Sequence, residues 1–90
     1  MDKVTLLSLS NDLKRIVTSI QRGSNENSLR FTKEARHWLK KSQALAQDEY
    51  LTSLLRKIGI ALNRQDSLEK AEDCLMYSVL VQNQALFSVK

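Results

Sequence analysis

The sequence predicts an all-α fold of four helices, arranged as two antiparallel hairpins. Three observations predict it. The 90 residues include no Pro and only two Gly, Gly23 and Gly59. So few backbone breakers suit long helices better than a many-turned sheet. Apolar residues recur at helical spacing in four stretches, tested at about 100° per residue. Aromatic residues are 6% of the chain against 42% hydrophobic overall, so the core must be aliphatic. The length suggests one domain, residues 1–90, because domains usually run about 100–200 residues.

The first helix is predicted over 5–22, with Leu6, Leu9, Leu13, Ile16, Val17 and Ile20 on one side. Gly23 follows, where helices favour a left-handed residue. The polar run 23–28 reads as the clearest loop. The second helix, 29–46, has an apolar arc of Phe31, Ala35, Trp38, Leu39, Ser42, Leu45 and Ala46. Its opposite arc carries Arg30, Lys33, Arg36, His37, Lys40 and Lys41, with Glu34 the only acid among them. The third helix, 49–63, follows Asp48 as N-cap. It gathers Leu51, Leu54, Leu55, Ile58, Ala61 and Leu62 on one face and points Ile60 away.

The fourth helix is expected to start after Asp66, capped by that side chain, with Glu69 completing a variant capping box. Asp66, Glu69, Glu72 and Asp73 suit the positive end of its dipole. Leu68, Ala71, Leu75, Ser78, Val79, Gln82 and Leu86 form one face, read as the core face. Met76, Leu80 and Phe87 form a second, roughly opposed one. From 75 to 89 the helix is therefore apolar on most of its circumference. Such a helix is either central in a core or covered by another chain.

Over 52–85, Leu55, Ile58-Gly59 and Leu62 precede a tight turn at Asp66, and Leu68, Ala71, Leu75 and Ser78 follow it. This order of large and small residues resembles the tetratricopeptide repeat (TPR), a helix-turn-helix unit of about 34 residues. The family's usual aromatics are Leu here, Asp66 stands where a Gly is usual, and Asn83 stands near the closing Pro. In the first half only Ala35, Leu39 and Ser42 echo the pattern. The resemblance implies that Gly59 and Ala71 let two antiparallel helices approach closely. It also implies a concave face carrying Ser53, Arg56, Ile60, Asn63 and Arg64, which binds a peptide or a helix. Short chains of this kind serve as co-chaperones of bacterial secretion subunits. The architecture is thus TPR-like or a four-helix bundle.

Charge and chemistry narrow the function. Lys and Arg total 14 against 10 Asp and Glu, a net charge of +4 that permits nucleic acid or acidic partners without demanding them. One Cys, Cys74, and one His, His37, exclude a disulfide framework and Cys-based or multi-His metal sites, so no metal or cofactor is expected. Cys74 reads as a small buried hydrophobe and His37 as a surface residue. No Ser-His-acid set or Gly-rich phosphate loop stands out, so no enzyme is expected. The opening residues lack a signal-peptide pattern and no run is long enough for a membrane span, which with the lone thiol points to the cytoplasm.

The expected function is protein–protein interaction: an adaptor or chaperone covering an apolar helix or segment of a partner, such as a secretion co-chaperone. Its partner-binding residues are Met76, Leu80 and Phe87, with Arg56, Ile60, Asn63 and Arg64. One alternative is a nucleic-acid-associated regulator using the basic face of Arg30, Lys33, Arg36, Lys40 and Lys41. Trp38 lies on the apolar side, which argues against a base-stacking platform. Another alternative is a helical homodimer with a structural role.

Overall fold

The computed structural model describes residues 3–87 and contains, among them, four helices and no strand. They are α1 (Lys3–Gln21), α2 (Asn25–Leu45), α3 (Glu49–Leu62) and α4 (Leu68–Phe87). Met1, Asp2, Val89 and Lys90, which the sequence reading touched, lie outside the described residues.

The turns explain the boundaries. Gly23 has φ +72°, its N–H donates to the Ile20 carbonyl at 3.0 Å, and the Ser24 N–H donates to the Ser19 carbonyl at 2.9 Å. This is a Schellman closure, which satisfies the last carbonyls of α1. Ser24 then caps α2, its hydroxyl accepting from the Asn27 N–H at 3.4 Å. One serine therefore closes one helix and opens the next, so α2 begins at Asn25 and the predicted loop over 23–28 is too long. A Cβ at Gly23 would meet nothing within 4 Å. Gly23→Ala is thus expected to cost about 1 kcal/mol through backbone conformation alone, read as a lower thermal midpoint.

Asp48 caps α3 as predicted, accepting from the Tyr50 N–H at 2.8 Å. The cap of α4 is Ser67 rather than Asp66: its hydroxyl accepts from the Lys70 N–H at 3.1 Å. Asp66 is occupied elsewhere. It accepts from the Ser28 hydroxyl at 2.9 Å and from the Lys70 ammonium at 3.3 Å. Lys70 is buried and also donates to the Arg64 carbonyl at 3.0 Å. A buried ammonium needs partners, and this need takes Asp66 away from capping.

Each helix packs on the next, and α1 lies along both α2 and α4, which closes the ring as in a four-helix bundle. The Ser28–Asp66 bond joins the start of α2 to the α3–α4 turn, and the Arg36 guanidinium donates to the Leu62 carbonyl at 3.2 Å. From Ser28 to Arg36 along α2 the partners step back from Asp66 to Leu62, so α2 and α3 run in opposite directions. The predicted faces of α1 and α3 are buried, Ile20 only partly. On α2, Ala35, Leu39 and Ser42 are buried, while Leu45 is exposed. Gly59 packs against α2, with Leu39 Cδ2 3.5 Å from where its Cβ would stand. It does not mediate an α3–α4 approach as the repeat resemblance implied.

α4 departs from its predicted face. Ala71 and Ser78 of that face are buried as expected, together with Lys70, Cys74, Val81 and Ala85, while Leu68, Leu75, Val79 and Leu86 are exposed. The cause is close packing on α1. The Ser10 hydroxyl donates to the Ser78 carbonyl at 2.8 Å, a side chain reaching the neighbouring backbone directly. Interhelix distance follows the side chains at the contact, so small residues must line this seam. One turn on, the Lys14 ammonium donates to Gln82 Oε1 at 2.9 Å. Cys74 lies in the seam, and burial pushes its thiol up to about 11. It is the small buried hydrophobe that the sequence suggested.

Candidate interface on the fourth helix

Turning small residues inward leaves the large ones of α4 outward. Met76 is 49% exposed and Phe87 78%, while Leu80 is half-buried against the core. At about 100° per residue these three fall on one line of the helix, and Leu68, Leu75, Val79 and Leu86 fall on a neighbouring line. The sequence found the first line and assigned the second to the core. Together they border one broad arc, apolar except for exposed Glu72 and Asn83, which fall between the two lines. α4 has 20 residues, so the arc runs about 30 Å. Covering Leu75, Met76, Val79, Leu86 and Phe87, each about half exposed or more, would contribute roughly 4–7 kcal/mol gross.

The arc's first turns carry exposed Glu69 and Glu72, whereas no charged residue occurs from 74 to 87. Asp73 beside them is held by Arg64 at 2.8 Å. Ile60, 56% exposed, shares a cavity of about 210 Å³ between α3 and α4 with Arg64, Asp73 and Tyr77. Asn63 is the C-cap residue of α3, its N–H bonded to the Ile60 carbonyl at 3.2 Å. The structure thus brings Ile60 and Arg64 to the edge of α4. Arg56 and Ser53 instead line a separate open hollow with Tyr50.

On α2, Arg30, Lys33, Arg36, Lys40 and Lys41 are all exposed. Part of this basic face is engaged internally. Arg36 closes the end of α3, Arg30 lies over the Phe31 ring at 4.9 Å, and Lys41 lies over the Trp38 ring at 5.4 Å. His37 is exposed and meets Trp38 edge-on at 5.0 Å.

One group escaped the sequence reading. Asp12 of α1 is buried, its side chain 3% exposed. Its Oδ1 pairs with Arg15 at 3.3 Å, and its Oδ2 has no hydrogen-bond partner. Burial first, then the neighbouring Glu34 carboxylate of α2, pushes the Asp12 carboxyl up from 3.8 to about 6. The two acids line a cavity of about 640 Å³ with Arg15, Lys33, His37 and Trp38. The signal was present: Thr5, Asp12 and Ser19, seven residues apart, form a polar line beside Leu9 and Ile16, and all three are buried.

Among the described residues no helix is long and apolar enough to cross a membrane, and no group of side chains could hold a metal ion. Compared with protein-family models, curated proteins and solved structures, the chain finds no match.

Proposed function

We propose that the chain is a protein–protein interaction module, an adaptor or chaperone whose fourth helix is covered by an apolar helix of a partner. The observation that carries this reading is the turn of α4 about its axis from the predicted face, which buries Ala71, Cys74, Ser78 and Ala85 and exposes Leu75, Met76, Val79, Leu86 and Phe87. An arc of this extent left in water favours association. The spacing of Met76, Leu80 and Phe87 suits a helix lying along α4. Glu69 and Glu72 at one end favour a partner with Lys or Arg there, which would fix its direction. Ile60 and Arg64, two of the five residues that the TPR-like reading of 52–85 places on one face, extend the surface onto α3. A cytoplasmic setting, with a single unpaired thiol, goes with this reading.

The test pairs a hydrophobic dye with a mass measurement in solution. The wild-type chain is expected to bind the dye and to associate as its concentration rises. Met76→Glu combined with Phe87→Glu should abolish both while leaving helicity and thermal midpoint nearly unchanged, because both positions are exposed. A mass of twice the chain assigns the covering helix to a second copy. A wild-type chain that stays monomeric and ignores the dye overturns the reading.

A further inference from the structure

We propose that the groove between α1 and α2 around Asp12 and Glu34 binds a guanidinium cation. The site shares no residue with the α4 face and does not depend on it. Asp12 supplies a side chain that is almost wholly buried, with Oδ2 lacking any donor. Folded proteins rarely leave such a buried polar oxygen unpaired. Glu34 stands beside it on α2 and makes no ion pair among the described residues. The two carboxyls stand within hydrogen-bonding reach of each other, so when both are ionised they repel, and a cation seated against the pair relieves both.

The groups already present leave that place open. Arg15 reaches only Oδ1, and its guanidinium also lies over the Phe31 ring at 5.6 Å. Lys33 lines the cavity but makes no ion pair within 4.0 Å among the described residues. His37 rests against Trp38, and no α4 residue lines the cavity. Its volume, about 640 Å³, falls within the span of about 300–1,000 Å³ common for small-molecule sites.

Two carboxylates side by side match a guanidinium better than an ammonium. The guanidinium presents paired N–H donors in one plane and keeps its charge at any working pH, whereas an ammonium acts as a point charge. Trp38 offers an apolar wall for the group's carbon stem. The cation can come from an arginine side chain of a peptide or from a free alkylguanidine, and the chemistry recognised is the same.

Trp38 is the only tryptophan, so its fluorescence reports on the groove directly. The whole chain is titrated with ethylguanidine, with the uncharged ethylurea and with a short arginine-containing peptide, at matched ionic strength. Ethylguanidine should give a saturable change at about pH 7.5 and ethylurea none. Binding should weaken about tenfold at about pH 5, where Asp12 is largely protonated. Glu34→Gln, at an exposed position that leaves the fold intact, should weaken it about tenfold as well. Asp12→Asn should do the same, with circular dichroism confirming the fold. Tighter binding of the peptide assigns the cation to a partner's arginine, and tighter binding of ethylguanidine assigns it to a free guanidine; either upholds the site. No saturation with ethylguanidine, an equal response to ethylurea, or unchanged affinity in Glu34→Gln overturns it.

Discussion

Asp12 is expected to make the folded chain more stable as the pH falls from about 7 to about 4, opposite to the usual acid sensitivity of paired carboxylates. Its folded pKa, about 6, lies above its ordinary value of 3.8. The folded state therefore holds this proton more tightly than the unfolded state does. The resulting stabilisation is complete below the ordinary value and is lost as the pH rises through about 6. The displacement corresponds to roughly 3 kcal/mol. The side chain is almost wholly buried but borders an open groove, so solvent screens part of this effect and roughly 3 kcal/mol is its upper bound. Asp12→Asn isolates the contribution, because an amide does not titrate and can donate to Glu34. At about pH 7 the variant should be more stable than wild type by up to about 3 kcal/mol, and at about pH 4 the two should converge. Urea midpoints at several pH values measure the difference. Parallel pH profiles for the two proteins would show that Asp12 ionises freely, and would place it outside the core.

Where large apolar residues line the buried arc, the sequence was sufficient. Leu51, Leu54, Leu55, Ile58, Ala61 and Leu62 of α3 are all buried, as their spacing requires. The turn after α1 was legible at Gly23 but not at Ser24, because no composition rule shows that one serine serves two helices. The failure at α4 is more instructive. Ranking faces by size places Leu75, Val79 and Leu86 inside, but size is the wrong criterion where two backbones come close. Ser10 against Ser78 sets that distance, and a leucine in the seam would hold α1 and α4 apart. The exposed line of Met76 and Phe87 was still found, because three apolar residues on the far side of a helix stand out under either reading. Asp12 was missed for the opposite reason. A single carboxylate among leucines looks like a surface residue unless its seven-residue spacing from Thr5 and Ser19 is weighed, and its neighbour Glu34 comes from another helix.

These assignments meet in a contrast between two leucines. Leu13 is fully buried in the middle of α1, facing the core. Leu13→Ala removes its packing and leaves a cavity, so it should cost about 2–5 kcal/mol in chemical denaturation. That is a large share of the about 5–15 kcal/mol by which folded domains are stable. Leu75 sits on the face that the sequence took as core, yet half of it is exposed. Leu75→Ala should therefore change the isolated chain's stability by no more than about 1 kcal/mol, in keeping with surface substitutions. Ser78→Leu should cost about 1–3 kcal/mol or more, because the α1–α4 seam has no room for it. If Leu75→Ala costs as much as Leu13→Ala while Ser78→Leu is silent, α4 is turned about its axis and its large residues lie underneath. The exposed arc that carries the interface would then be gone. If the costs fall in the expected order, the exposed leucines of α4, Leu68, Leu75 and Leu86, contribute little to holding this chain together, and their burial is left to a partner.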